Sequence, residues 1–396
     1  MNDTSLAELL PAARKLEEKI IGLRRRLHQY PELSLEEAET SAVIEALLEP
    51  LGLDVRRGVG GYGVIADLQG GKPGPLIALR ADMDALPVQE ETGLPFASRV
   101  PGRMHACGHD AHTAMLYGAA KLLVERRSEL AGGVRFIFQA AEEVNEGARA
   151  IVEAGGMAGV DEIYGLHNSP TLPVGTVATR VGGMMGSVDR FSATIQGRGG
   201  HGAMPEQCVD PVVAASAIVL SLQTAVSREL SPFDPAVVTV GSIHGGNAYN
   251  VIPDRVEIEG TVRTFSARVR DQLPVMLGRL VGGVAEAHRC TAEVRYLRMV
   301  PALENREDNV CAVNRVTRLL LGENGLTEAA PVLAGEDFSV YLERVPGCFF
   351  WLGAGPQANA DQAYGLHHPK YTIDEDCLAI GAAVLAAIPL YRGFAG

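Results

Sequence analysis

Three largely apolar runs in the first half of the chain each break off into charged or metal-binding side chains. This repeated ending constrains the fold more than any other feature. Pro75-Leu76-Ile77-Ala78-Leu79-Arg80 runs out into Asp82 and Asp84, Val134-Arg135-Phe136-Ile137-Phe138-Gln139-Ala140 into Glu142 and Glu143, and Glu162-Ile163-Tyr164-Gly165-Leu166 ends at His167. The first is nearly all apolar, as expected of a strand buried on both faces. Helical patterns over about 111–126 and 146–154 separate the runs, and 63–68 reads as a further strand. Strand, helix, strand, helix, strand predicts an α/β unit with a mostly parallel sheet flanked by helices. In open α/β sheets the ligand site lies beyond the carboxyl ends of the strands. Asp82, Asp84, Glu142, Glu143 and His167 should therefore converge on one edge of the sheet.

The pattern changes near residue 185. Residues 191–195 alternate as a half-buried strand, Asp210-Pro211 opens a helix to about 229, and strands follow at 236–243 and 256–265. Ser266 caps a helix to 288, and 291–297 closes the block as a last strand. The order β-α-β-β-α-β is that of a ferredoxin-like split unit. After residue 300 the α/β character returns, with helices over 305–321 and 374–388, another opened by Gly335-Glu336-Asp337-Phe338, and a strand at 348–353. The expected organisation is one α/β domain in two parts, 1–184 and 300–396, with the βαββαβ domain inserted at 185–299. Upstream, 5–29 reads as an amphipathic helix with His28 at its polar end, and Ser34-Leu35-Glu36-Glu37 as a capping box opening the next helix.

A chain of 396 residues exceeds one ordinary core, in keeping with two domains. A net charge of −13 argues against nucleic acid as a partner, since phosphate binding needs clustered Lys and Arg. No apolar run reaches the ~18 residues of a membrane span. The start of the chain lacks a basic stretch leading into an apolar core, and the six cysteines are too dispersed for a disulfide framework. A cytoplasmic protein with free thiols is expected.

Met104-His105-Ala106-Cys107-Gly108-His109-Asp110-Ala111-His112 gathers three histidines, a cysteine and an aspartate into nine residues. Cys107 and His109 stand two apart, and a thiolate with an imidazole suits a borderline transition metal, zinc above all. Alone, the run equally describes a polar turn with a buried thiol. Glu143, His167 and either His367 or His368 join as candidate ligands. Singly, Glu142-Glu143 also reads as a solvated helix start, and His367-His368 as a surface loop. Five ligands exceed the need of one tetrahedral zinc; two metals sharing one bridging ligand would use them all. Of two adjacent glutamates, one can bind metal while its neighbour faces the other way. That neighbour can take a proton from a water whose pKa a metal lowers from ~15.7 toward ~7, and pass it to a leaving amine. The chemistry read here is metal-assisted hydrolysis of an amide.

Six motifs carry a family resemblance over nearly the whole chain and in the expected order. They are Arg26-Leu27-His28-Gln29-Tyr30-Pro31-Glu32-Leu33-Ser34, Arg80-Ala81-Asp82-Met83-Asp84-Ala85-Leu86-Pro87, His105-Ala106-Cys107-Gly108-His109-Asp110, Ala141-Glu142-Glu143, Gly199-Gly200-His201-Gly202 and Leu366-His367-His368-Pro369. Together they resemble the aminoacylases and carboxypeptidase-G-like peptidases. The Cys-Gly-His form resembles the N-acyl-amino-acid amidohydrolase branch, with hippurate hydrolase and the indole-acetyl-amino-acid hydrolases. The resemblance implies a binuclear-metal, exopeptidase-like catalytic domain with an inserted lid and dimerisation domain. By it, Cys107 bridges two divalent metals (Zn, Mn, Co or Ni), His109 and His167 complete one, and Glu143 and His367 the other. Glu142 is the implied general base and Asp84 orients a ligand or the base. His367 is preferred to His368 because the family's ligand lies two before the proline. The resemblance further implies a homodimer in which His201 reaches the partner subunit's active site to stabilise the oxyanion. Asn250 and Arg263 would hold the substrate's carboxylate or carbonyl, although a salt bridge suits Arg263 nearly as well. The expected substrates are N-acyl amino acids or similar conjugates. A dipeptidase or exopeptidase on the same site, or a non-catalytic metal-binding scaffold, is the alternative. His105, His112, His244 and His288 receive no role.

Overall fold

The structure, a computed structural model, describes residues 3–356 and 363–393. The chain packs as two units: Met1–Gly182 with Glu304–Ala330 and Asp337–Gly396, and Gly183–Leu303 with Pro331–Glu336.

The first unit is built on an eight-stranded sheet. Its strands run in the order Asp54–Val59, Gly63–Gln69, Ala131–Gln139, Lys72–Asp82, Glu162–Pro173, Gly347–Gly355, Val177–Thr179 and Leu326–Glu328. The four strands from Ala131–Gln139 to Gly347–Gly355 are mutually parallel, and the strands flanking this block pair antiparallel to it. Every residue of Ala131–Gln139 is buried, as a central parallel strand covered on both faces requires. Helices Leu9–Gln29, His109–Glu125 and Cys377–Arg392 pack on one another and share a core with the sheet. Their close approach depends on Gly118, where a Cβ would come within 2.7 Å of Ile20 Cδ1 and 2.9 Å of the Ala382 methyl.

This sheet presents the polar residues anticipated at its strand ends. Asp82 and Gln139 are the last residues of their strands, Glu142 and Glu143 follow in the next turn, and His109 opens its helix. His167 departs from expectation. Its strand continues to Pro173, so His167 lies within the strand, paired opposite Trp351. The capping box at Ser34 does not form either. The helix begins at Ala38, and its first-turn amides of Glu39 and Thr40 donate to the Glu32 carboxylate at 3.1 and 2.7 Å. The Ser34 hydroxyl donates instead to Asp84 Oδ2 at 2.7 Å.

The second unit holds a four-stranded antiparallel sheet in the order Ala236–His244, Arg255–Thr264, Val188–Gln196, Thr291–Val300, with helices Pro211–Thr224 and Ala267–Ala287. Alternate residues Phe191, Ala193 and Ile195, with Val256, Ile258 and Val262, form one buried face that both helices cover. Asp210 caps the first helix through the amide of Val212 at 2.8 Å, and Ser266 caps the second through that of Val269. The stretch Pro211–Glu229 is apolar and long enough to cross a membrane by composition. Here Ala214, Ala215, Ile218 and Leu222 instead bury one helical face in the unit's core. Residues 331–336 join this unit through backbone bonds of Val332 to Met184 and Gly186, both 3.0 Å.

Candidate metal centre

Gly108 sets the local geometry of the cysteine–histidine pair. Its φ of 89° lies in the left-handed region, and it turns the chain from Cys107 into His109, the first helical residue. A Cβ at this position would sit 2.2 Å from Asn168 Nδ2 and 2.5 Å from the Tyr371 hydroxyl, so only glycine fits.

Two donor groups form around this turn. Donor atoms of Cys107, His109 and His167 lie within 4.8 Å of one another, and so do those of Cys107, Glu143 and His367. Cys107 belongs to both. Its Sγ is 3.3 Å from His167 Nε2, while Glu143 Oε1 is 3.5 Å from His367 Nε2 and 3.8 Å from His109 Nε2. The imidazoles are aimed by their other nitrogens. His109 Nδ1 donates to Asp84 Oδ1 at 3.1 Å, and His167 Nδ1 donates to the Asn168 carbonyl at 2.8 Å, which turns both Nε2 atoms inward. Asp84 also accepts the Glu143 amide at 2.9 Å. It therefore orients one ring and one carboxylate-bearing residue together.

Two of the segments that bring donors here carry left-handed residues other than glycine. Ala141, just before Glu142 and Glu143, has φ 58°, and His367 has φ 65°. Such conformations cost of order 1–3 kcal/mol and persist where surrounding bonds impose them. Buried Glu37 accepts the Ala141 amide at 2.8 Å, and the His367 amide donates to the Ala106 carbonyl at 2.8 Å.

The donor set accommodates a metal. Among the described residues, His109 Nε2 and Glu143 Oε1 are buried without a hydrogen-bond partner. Each unmade bond costs about 1–3 kcal/mol, which cations bound at these atoms would recover. The electrostatics agree. Although burial works against it, the Asp82 carboxylate draws His109 well above the ordinary histidine range, the mark of an excess of negative charge that a cation would neutralise in the proton's place. Burial, with Glu143 adding to it, pushes the Cys107 thiol well up, so the thiolate form needs a cation beside it. Burial keeps His167 well below its ordinary value, and therefore neutral. The neighbouring Glu143 carboxylate raises His367. Glu142 is 8% exposed, its Oε1 3.4 Å from the Asp337 amide, and its carboxylate forms a further group with His109 and Glu143. His368 is turned to other partners: its Nδ1 accepts the Lys370 amide at 3.0 Å and its ring stacks on Tyr364.

His201, Asn250 and Arg263 lie in the second unit. His201 is exposed in the short strand Gly200–His201, which pairs with Val251–Ile252; its Nδ1 accepts the Ala203 amide at 3.0 Å. The Asn250 carbonyl accepts the Gly202 amide at 2.8 Å, so the two residues share one loop pair. Arg263 is half-buried in Arg255–Thr264; burial lowers its pKa, and Asp189 opposes the shift.

Comparison with known proteins decides the family. The model of peptidase family M20/M25/M40 matches residues 78–390. The chain belongs to this family. The M20-family chain is 44% identical to the N-acetylcysteine deacetylase of Bacillus subtilis over 373 residues, 93% of this chain and 96% of that one. It is equally similar, 44% over 373 residues, to the IAA-amino acid hydrolase ILR1-like 2 of Arabidopsis thaliana, covering 93% and 84%. Among solved structures it superposes on a dinuclear metal-binding peptidase of the M20 family from Bacillus subtilis with a TM-score of 0.84, at 40% identity, covering 95% and 98%. The protein is accordingly a metal-dependent amidohydrolase.

The M20-family fold also recruits residues to which sequence reasoning gave no part. His28, read as a helix-end residue, is fully buried; its Nδ1 bonds Asp110 Oδ2 at 2.8 Å, and Arg24 pairs with the same oxygen at 2.8 Å. Asp110, next to His109, is thereby tied to helix Leu9–Gln29. Arg24 and His28, four apart on one helical face, were the available signal. His112 bonds Asp82 at 2.6 Å, and nothing in its spacing marked it out from His105.

Proposed function

We propose that this enzyme hydrolyses the amide bond of N-acyl amino acids or similar amino-acid conjugates, as a cytoplasmic homodimer with two divalent metals. The observation that carries the reading is Cys107, whose sulfur belongs to both donor groups. The names of the relatives, a deacetylase of N-acetylcysteine and a hydrolase of IAA-amino acids, support the substrate class. The dinuclear peptidase supports a pair of metals. Free cysteines, Cys107 among them, suit a reducing compartment.

In this reading Cys107, His109 and His167 hold one metal, and Cys107, Glu143 and His367 the other. Bound there, the metals would supply Lewis acidity, lowering the pKa of a water and polarising the substrate carbonyl. Glu142, adjacent to Glu143 and low in solvent exposure, takes the water's proton and delivers it to the leaving nitrogen. Asp84 holds the His109 ring and the Glu143 backbone in place. His201 of the partner subunit donates to the developing oxyanion, and Asn250 and Arg263 bind the substrate's carboxylate or carbonyl; these roles rest on the motif resemblance. The test is chelation followed by reconstitution with Zn, Mn, Co or Ni, assayed on a panel of N-acyl amino acids and dipeptides. Turnover of the acyl amino acids should disappear on chelation and return with metal. Faster turnover of unmodified dipeptides would favour an exopeptidase, and metal binding without turnover of any amide a scaffold.

A further inference from the structure

We infer that His112 and Asn168 form an internal clamp that sets the separation of Cys107 from His167, acting as positioning residues for metal binding. The inference rests on the reading of Cys107 and His167 as ligands and adds two residues that hold them. His112 bridges two fixed partners. Its Nδ1 lies 2.6 Å from Asp82 Oδ1, and its Nε2 lies 2.9 Å from the Asn168 backbone nitrogen. A backbone amide can only donate, so Nε2 must present its lone pair, and the proton sits on Nδ1 against Asp82. The imidazole is thus locked in one neutral tautomer between two strands of the sheet.

The Asn168 side chain extends the lock to the ligand loop. Its Nδ2 donates to the Cys107 carbonyl at 2.8 Å and lies 2.7 Å from His112 Nε2. Because a carbonyl can only accept, the contact with Cys107 places the amide nitrogen there, and Oδ1 is left to accept the Tyr371 hydroxyl. The Asn168 backbone carbonyl in turn receives His167 Nδ1. One residue therefore grips the backbone of Cys107 and the ring of His167, two ligands brought together from separate elements. The His112 ring packs edge-on against that of His167, with centroids 4.6 Å apart. All of these groups are buried, His112 and Asn168 at 1% and 0% exposure, so water cannot substitute for a lost bond. Gly108 completes the clamp, since a larger residue would displace the Asn168 amide.

Metal binding by the purified full-length apoenzyme tests this without recourse to turnover. The probe is Zn²⁺ alone, titrated with competing chelator. The signal is the fluorescence of Trp351, the chain's single tryptophan, whose ring lies 5.3 Å from that of His167. Asn168→Asp preserves shape but turns an acceptor toward the Cys107 carbonyl and His112 Nε2. His112→Phe keeps a ring against His167 and removes both nitrogens, so the comparison does not depend on one variant folding. Cys107→Ser is run alongside, and circular dichroism establishes that each variant is folded. The clamp predicts about 10- to 100-fold weaker Zn²⁺ binding in either folded variant. Wild-type affinity in Asn168→Asp and His112→Phe, with affinity lost in Cys107→Ser, would overturn the clamp and leave the ligand reading standing. Undiminished affinity and stoichiometry in Cys107→Ser would overturn the ligand reading, and the clamp with it.

Discussion

Cys107 concentrates the chemistry of this site in one atom. It is buried with its thiol form favoured, so in the proposed reading it would need the cations for its ionisation, and they would need it as their shared ligand. Peroxide oxidation of Cys107 should therefore release metal and abolish activity together, followed by mass spectrometry and metal analysis on the same sample. Retention of metal after complete oxidation would disprove the bridge. Asp84 makes a separate prediction. Replacing it with Asn leaves shape intact but weakens the acceptor that aims His109 and Glu143, so metal affinity should fall about 10- to 100-fold by calorimetry. At this scale the sequence was legible where spacing is local. Cys107 and His109 stand two apart, and Glu142 and Glu143 are adjacent. His112 and Asn168 were not legible, because their partners, Asp82 and the Cys107 carbonyl, come from other elements of the fold.

Strands and turns deliver these residues to one place. The apolar runs revealed the parallel sheet because burial on both faces leaves little room for polar residues within a strand. His167 shows the limit of that rule: the polar residues His167, Asn168 and Ser169 continue the strand where it passes the site. The turn after Ala131–Gln139 is held by Glu37, which the sequence assigned to a helix cap and the fold buries. Burial raises the Glu37 carboxyl to about 7 from its ordinary 4.5. Between these values the folded state keeps a proton that the unfolded state releases. The contribution of Glu37 to stability is thus complete at the acid end of that window and is lost as pH rises through about 7. Glu37→Gln retains an acceptor for the Ala141 amide without the titration. Its melting temperature should fall less between pH 5 and pH 8 than that of the wild type; equal falls would contradict the assignment.

For the whole molecule, the β-α-β-β-α-β pattern near residue 185 identified a second folded unit from periodicity alone. The six residues 331–336 that join it carry no periodic signal, and their backbone pairing with 184–186 emerges only in the fold. The proposed dimer has its own test. Glu142→Ala and His201→Ala should each be inactive, yet co-refolding them in equal amounts should restore about a quarter of wild-type activity, since half the dimers carry one intact site of two. No recovery would mean that His201 does not serve a partner's site. The central claim, metal-dependent amide hydrolysis with Glu142 moving the proton, meets its most direct test in Glu142→Ala assayed on an N-acyl amino acid with metal content measured on the same preparation. The predicted result is a loss of at least about 10²- to 10⁴-fold in kcat with metal content equal to wild type; wild-type turnover in that variant would contradict the account.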